Sequence, residues 1–388
     1  MLGHVDHGKT TLTKALTGKW TDTHSEEIKR GISIRLGYAD TDIYYCQKCK
    51  SHSNSKKCEC GEKSELKRKI SIVDAPGHET LMTAVLSASS ILDGALFLVA
   101  ANEQCPQPQT TEHMLVLNST GIKNIVVVQT KIDLVTKEKA MENYKQIKTF
   151  LKGTVAENAP IIPISANYKL NIGALFDAIE NCIPTPGRDP NEKLRMYISR
   201  SFDVNKPGTP VQKLTGGVFG GSVVKGTVKV GDKIEIKPGI SIKGNAKYTP
   251  IVCEAVSLME ESEVLESAKP GGLVAVGTTL DPALTKSDAL VGSIISHPNE
   301  TSEAVETLKI KYESIQRHDL QMPPLREGDP IVINICTATT VGVLVKLAKK
   351  GMLEIRLKKP VVAEKGTRAA ISRRVGQRWR LSGWGEVQ

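Results

Sequence analysis

The sequence predicts a doubly wound α/β domain with a mostly parallel sheet, followed by two small all-β barrels. Three observations carry this. Up to about Pro186, short continuous apolar runs alternate with amphipathic stretches, the texture of strands covered on both faces by helices. The run Ile183-Pro184-Thr185-Pro186-Gly187-Arg188-Asp189-Pro190 then breaks the pattern and reads as a linker. Beyond it, Val/Ile/Thr-rich runs recur between turns such as Gly216-Gly217, Gly220-Gly221, Lys237-Pro238-Gly239 and Lys269-Pro270-Gly271-Gly272, as expected of small barrels. A second breaker region lies at His297-Pro298-Asn299. The domains so read are 1–186 with a cysteine insertion at 46–60, then 187–297 and 298–388.

In the first domain the predicted strands are Lys69–Asp74, Gly94–Ala101, Asn124–Thr130 and Ile161–Ser165. Each is a short apolar run of the kind buried on both faces. The predicted helices are Lys9–Thr17, His78–Leu92, Thr110–Thr120, Lys137–Thr149 and Gly173–Asn181. In the last domain, strands are predicted at Ile331–Thr337, Gly342–Leu347, Leu353–Leu357 and Arg368–Ile371.

The chain has 388 residues, 40% hydrophobic and 24% charged, enough apolar material for several cores and too much for a disordered chain. The formal net charge of +10 favours an anionic partner, nucleic acid first. No run approaches the ~20 apolar residues of a membrane span, and no signal peptide opens the chain. Of eight cysteines, four crowd between Cys46 and Cys60, so a reducing, cytoplasmic setting is expected rather than a secreted disulfide framework.

Gly3-His4-Val5-Asp6-His7-Gly8-Lys9-Thr10 fits a phosphate-binding loop. Its glycines let the backbone N–H groups of Val5, Asp6, His7 and Gly8 turn inward around phosphate oxygens, and the following helix aims its positive end there. Lys9 reaches the β- and γ-phosphates, Thr10 carries a hydroxyl for Mg²⁺, and Thr11 can donate to the α-phosphate. Such a loop is fed by a buried strand of ~5 residues, so residues before Met1 are expected in the full protein. Asp74 ends an apolar strand, where a carboxylate can hold the Mg²⁺ shell opposite Thr10, and Gly77 leaves room for a backbone N–H beside the γ-phosphate.

Thr130-Lys131-Ile132-Asp133 and Ser165-Ala166-Asn167 each follow an apolar strand. The carboxylate of Asp133 can accept from guanine N1–H and its exocyclic amine, which adenine does not offer, and such a site can reject the wrong base by ~10⁴. The stem of Lys131 can cover the base plane, and the second loop offers a backbone N–H to the guanine carbonyl. The expected nucleotides are therefore GTP and GDP.

Cys46-x2-Cys49 and Cys58-x-Cys60 can supply four thiolates to a structural zinc site. The second pair is short, and His52 or His24 could stand in if Cys60 pointed away. In the stretch 365–380, Lys365, Arg368, Arg373, Arg374, Arg378 and Arg380 occur without an acid, next to Trp379. A strip of this kind can follow a phosphate backbone; a solvated strand face is the plainer reading.

Taken together, the phosphate loop, Arg30-Gly31-Ile32-Ser33-Ile34, Asp74-Ala75-Pro76-Gly77-His78, Thr130–Asp133 and Ser165–Asn167 resemble the translational GTPases. Within that class the chain is most similar to the gamma subunits of archaeal and eukaryotic translation initiation factor 2. That narrower resemblance rests on His24-Ser25-Glu26-Glu27-Ile28-Lys29-Arg30, Leu36-Gly37-Tyr38-Ala39-Asp40, the cysteine insertion, Asn102–Gln109, Arg200–Gly208 and Gly383-Trp384-Gly385. The resemblance covers essentially the whole chain, and the lysine-rich style suggests an archaeal source.

This resemblance implies a P-loop GTPase domain with two β-barrels. It also implies delivery of methionylated initiator tRNA to the small ribosomal subunit, and assembly with alpha and beta subunits. By position it makes Ser33 a switch ligand of Mg²⁺ with Thr10, and puts a second Mg²⁺ near Asp6 and Gly31. His78 becomes the residue that orients the attacking water, with Val5 and Ile32 as its apolar gate, and Tyr38 lines the aminoacyl pocket. Thr130 stands where the family has Asn, so one or two polar contacts are expected to be lost. Ser33 replaces the usual Thr and keeps the hydroxyl. An aminoacyl-tRNA elongation factor and the GTPase subunit of an ATP sulfurylase share the frame, but the cysteine insertion and Gln107-Pro108-Gln109 argue against both. A nucleotide-gated binding module without turnover is disfavoured by Lys9, Thr10, Asp74 and His78.

Overall fold

The structure is a computed structural model that describes residues 1–21, 36–77, 82–241, 247–261, 263–315, 317 and 322–388. Two compact units are present, one of Met1–Val85 with Leu92–Pro186, the other of Leu86–Ile91 with Gly187–Gln388.

In the first unit the strands are β1 (Leu2–Gly3), β2 (Gly37–Cys46), β3 (Ser51–Ser53), β4 (Glu65–Asp74), β5 (Ala95–Ala100), β6 (Ile125–Thr130) and β7 (Ile161–Pro163). The helices are α1 (Lys9–Thr17), α2 (Met82–Ala88), α3 (Pro108–Thr120), α4 (Lys137–Leu151) and α5 (Ile172–Cys182). A parallel sheet runs β1-β5-β6-β7, and an antiparallel one β3-β2-β4. The two meet at Met1, whose carbonyl accepts from Ala75 N at 3.3 Å. β5 and β6 are buried at every residue, as strands covered on both faces must be. Leu12, Leu16, Ile43, Leu98, Val128 and Phe176 share the core. α1 occupies the predicted span. β2 escaped the sequence reading because Asp40, Thr41 and Asp42, all half-buried, interrupt it where an apolar run would mark a strand.

In the second unit, β8 (Arg195–Phe202), β9 (Val218–Lys225), β10 (Val228–Lys229), β11 (Lys233–Ser241), β12 (Tyr248–Glu260), β13 (Glu263–Leu265), β14 (Ser267–Ala268), β15 (Gly271–Thr278) and β16 (Ile294–Ser296) come first. Six of them close a barrel in the order β11-β16-β8-β9-β15-β12, β12 pairing back to β11. Then β17 (Val305–Ser314), β18 (Pro330–Ile335), β19 (Ala338–Ala348), β20 (Met352–Val361), β21 (Arg368–Val375) and β22 (Arg378–Val387) close a second, in the order β17-β20-β19-β18-β21-β22. Closure pairs the ring strands on both sides, β13 hanging on β12 and β10 pairing with β14 outside the ring, and inward residues alternate with outward ones. Phe219, Ile198 and Ile234 fill the first barrel; Ile310, Ile333, Leu344 and Ile371 fill the second. The two barrels also meet directly: Arg195 pairs with Glu364, and buried Lys237 donates to Glu303 at 2.8 Å.

Candidate functional site

β1 ends at Gly3 and α1 begins at Lys9, so the phosphate loop spans the gap between strand and helix. Asp6 (φ 63) and Gly8 (φ 83) are left-handed, and Gly8 caps the helix start. This backbone curls the loop around Lys9, but of the four amides read as phosphate donors Val5 N donates to Gln109 Oε1 at 3.2 Å and His7 N to His4 O at 3.3 Å, so those two are engaged within the protein. Lys9 is buried; its Nζ donates to Gly3 O at 3.0 Å and His4 O at 2.8 Å. The ammonium is thereby held at the loop's centre. His7 is fully buried, its Nδ1 3.0 Å from Leu98 O and its Nε2 3.3 Å from a Glu103 oxygen, which fastens the loop to β5. Thr11 follows on the first turn of α1, half-buried.

Asp74, the last residue of β4, is 1% exposed. One of its oxygens, Oδ2, accepts from Thr10 Oγ1 and from Thr21 Oγ1, both at 2.8 Å. Its Oδ1 is buried without a hydrogen-bond partner among the described residues. A carboxylate oxygen so placed is costly unless a cation or its hydration shell satisfies it, and a carboxylate beside a hydroxyl is a donor set that suits Mg²⁺. The residues fit the metal. Gly77 packs directly on the loop: a Cβ there would lie 2.6 Å from Lys9 Nζ and 2.8 Å from Val5 N.

The base side is tied to the same loop. Thr130 Oγ1 donates to His7 O at 2.8 Å, so the residue that replaces the family's Asn keeps a hydrogen bond to the phosphate loop. Lys131 is left-handed (φ 58), which swings Asp133 onto an exposed helical turn, Ile132–Leu134. Ile132 N reaches Ile164 O at 3.4 Å, and Ser165 and Leu170 exchange backbone bonds of 3.3 and 2.9 Å. Ser165 is fully buried, and Ala166 and Asn167 lie on the loop it anchors.

All four cysteines of the insertion converge. Cys46 and Cys60 sulfurs lie 3.7 Å apart, as do those of Cys49 and Cys58, and all four are within 4.8 Å of one another. The short Cys-x-Cys pair therefore reaches, helped by the turn Gly61 N to Cys58 O at 2.9 Å. His52 is not a substitute ligand: its Nδ1 is 2.6 Å from Asp177 Oδ1, tying the hairpin to α5. The backbone N–H of Glu62 draws the Cys60 thiol down to about 7, while hydrogen bonding with Cys60 pushes Cys49 up to about 12. Thiols sharing protons at this spacing are a tetrahedral site that a divalent cation completes by displacing them, and the cluster fits structural zinc.

Along the basic strip the structure separates the two candidate arginines. Arg373 is buried; its guanidinium donates to Pro323 O (2.7 Å), Pro324 O (3.0 Å) and Asp329 Oδ2 (3.4 Å). Arg374 is exposed, with Nε 3.3 Å from Gly376 O. Arg368 lies 3.6 Å over the Trp384 ring, a cation–π contact. Half-buried Tyr38 sits opposite Val73 in the β2–β4 ladder. Gly31, Ile32, Ser33 and His78, with His24, fall outside the described residues.

Two residues at the site escaped the sequence reading. Gln109 Oε1 accepts from Val5 N at 3.2 Å, and His113 Nε2 lies 3.4 Å from Gly77 O. Their signal was a polar pair spaced i, i+4 on one face of a helix: Gln109 was read only for its likeness, and His113 only as part of the predicted helix Thr110–Thr120.

Comparison with known proteins follows these features. Residues 1–185 match the model of the elongation factor Tu GTP binding domain, and 305–387 that of the initiation factor eIF2 gamma C terminal region. Translation initiation factor 2 subunit gamma of Methanococcus vannielii is 54% identical over 398 residues, covering 100% of this chain and 97% of that protein. That of Pyrococcus horikoshii is 52% identical over 396 residues, covering 100% and 96%. Among solved structures, a bacterial selenocysteine-specific elongation factor superposes with a TM-score of 0.77 at 26% identity, over 99% of this chain and 57% of its own length. The elongation factor SelB of Methanococcus maripaludis, in complex with the GTP analogue GppNHp, gives 0.74 at 25%, over 100% and 77%.

Proposed function

The chain belongs to the family of translation initiation factor 2 gamma subunits, and from that premise we propose how its residues serve the family's task. It is a translation initiation factor subunit and a GTPase, yielding GDP and phosphate. The elongation-factor and sulfurylase readings give way: identity is 52–54% with initiation factor gamma subunits against 25–26% with elongation factors.

In our reading, the factor carries methionylated initiator tRNA to the small ribosomal subunit in the cytoplasm, assembled with alpha and beta subunits. Residues 1–186, 187–297 and 298–388 are its GTPase and two barrel domains. The observation that supports the nucleotide site best is that three distant segments hold one loop: Asp74 through Thr10, Gln109 through Val5 and Thr130 through His7. The loop Val5–Gly8 grips the phosphates through the amides of Asp6 and Gly8, with Lys9, Thr10 and Thr11, while Val5 and His7 shape it through their own bonds to Gln109 and His4. Gly77 faces the γ-phosphate, and Thr130, Lys131, Asp133, Ser165, Ala166 and Asn167 take the base. Thr10, Ser33 and Asp74 would hold Mg²⁺, with a second ion near Asp6 and Gly31; when bound, the metal neutralises charge on the phosphate oxygens. His78 orients a water for in-line attack on the γ-phosphorus, forming one P–O bond as the bond to the β–γ bridging oxygen breaks. Alone, such sites turn over slowly.

The experiment that tests this reading is binding of methionylated initiator tRNA and of elongator tRNA, each with GTP and with GDP. Tight binding confined to initiator tRNA with GTP is expected; equal affinity for both tRNAs would sink it.

Two further outcomes are expected. Metal analysis of the purified chain should find one zinc, and Cys58→Ser should lower that content markedly. Four freely titrating thiols and no metal would count against the site. For the basic strip, we assign the phosphate contact to Arg374 and a scaffolding role to Arg373. Arg374→Ala should reduce the salt slope of tRNA binding by about 1 with stability nearly unchanged. Arg373→Ala should instead cost about 2 kcal/mol of stability, since it strips a buried guanidinium from its partners, measurable by denaturant unfolding.

A further inference from the structure

α3 presents two side chains, one turn apart, to the phosphate site. Gln109 Oε1 accepts from Val5 N at 3.2 Å, and His113 Nε2 lies 3.4 Å from Gly77 O. The two groups they hold are in mutual contact, since a Cβ on Gly77 would sit 2.8 Å from Val5 N. Gly77 must lack a Cβ to approach this closely, and the same lack leaves its backbone freer than any other residue's. Something outside the glycine has to decide which way its peptide faces.

His113 is built to do so. It is fully buried. The Gly77 carbonyl can only accept, so Nε2 carries the proton and donates. That leaves Nδ1 as an acceptor, buried without a hydrogen-bond partner among the described residues. Burial, with the Lys9 charge beside it, pushes the ring's pKa down to about 3, so the donor survives unchanged through the physiological range. Gln109 acts on the opposite wall: its carbonyl oxygen draws the Val5 N–H toward α3, and Val5 lies in the loop that curls around Lys9.

We infer that Gln109 and His113 are positioning residues that hold the two walls of the γ-phosphate pocket, the Val5 amide and the Gly77 peptide, and thereby set the preference for GTP over GDP. This rests on the reading of Gly3–Thr10 and Gly77 as the triphosphate site. GDP has no γ-phosphate, so it does not sense the Gly77 wall. Loosening that wall weakens GTP selectively, whereas a helix that merely stabilised the domain would weaken both nucleotides together.

The test measures affinities for GppNHp and GDP, with Mg²⁺, for the full chain and for Gln109→Ala, His113→Ala and His113→Gln. His113→Ala is expected to lower the GppNHp-to-GDP affinity ratio about tenfold, the worth of one buried hydrogen bond, with GDP binding within about twofold. His113→Gln, whose amide can donate near the Nε2 position, should recover much of the ratio. Gln109→Ala, at a half-buried helical position where alanine is well tolerated, should lower the ratio about threefold or more and decides the matter if His113→Ala does not fold. An unchanged ratio, or parallel losses for both nucleotides, would overturn the inference. Failure of the unsubstituted chain to bind guanine nucleotides would instead remove the site reading beneath it.

Discussion

Asp133→Asn is expected to weaken GTP binding by about 10³–10⁴ and to make xanthosine triphosphate the better ligand. In the proposed site the carboxylate would accept twice from guanine, at N1–H and at the exocyclic amine, both bonds charge-assisted. Asparagine turns one acceptor into an N–H₂ donor, so donor meets donor at the guanine amine. Xanthine carries a carbonyl there, and the pairing is restored. Asp133 is exposed on a short turn, so the change should move stability by no more than about 0.5 kcal/mol, and the effect reads on recognition alone. Calorimetric titration with both nucleotides decides it: GTP affinity reduced less than tenfold would mean that Asp133 does not read the base.

Gly77→Ala should be nearly as severe, for a steric reason. The new Cβ would lie 2.6 Å from Lys9 Nζ, 2.8 Å from Val5 N and 3.0 Å from His4 C. The lysine tip can swing aside, but Val5 N and His4 C are backbone in a tightly hydrogen-bonded loop, so residue 77 must retreat. Retreat would forfeit the charge-assisted bond to the γ-phosphate proposed for it, about 2–3 kcal/mol, or roughly 30- to 150-fold in GTP affinity. GDP binding should fall less than about fivefold, since GDP lacks the phosphate that Gly77 is proposed to face. Displacement of a fluorescent GDP analogue by GppNHp measures both. Equal losses would place Gly77 outside the γ-phosphate wall.

Much of this molecule was legible in one dimension. The phosphate loop, Asp74, Gly77 and Asp133 announce themselves because each must stand at a fixed place beside a strand end, and strand ends are marked by the close of an apolar run. α1 was read to the residue because a glycine-capped phosphate loop defines its first turn and Gly18 its last. The four cysteines were found by spacing. β2, β17 and β22 were harder. They are one-faced strands whose outward residues are polar or charged, so β22, with Arg378 and Arg380, read as a basic strip before it read as a barrel strand.

From sequence alone came the chemistry proposed here: the residue types read as holding phosphate, guanine, magnesium and zinc, and the expected order of the domains that carry them. These are local demands, met within a few residues of a turn. What only the tertiary structure decided were the partnerships. Thr130 keeps its hold on the phosphate loop through His7 O, 123 positions away. Cys60 reaches the cluster that a shortened pair left in question, and Arg373 points inward while Arg374 faces out. Gln109 and His113 join the site from a helix to which no motif gave a role at the nucleotide. The physical reason is common to all four: a hydrogen bond or a thiol cluster depends on distance in space. Chain spacing sets that distance only within a turn or a hairpin, and elsewhere the packing of strands and helices sets it.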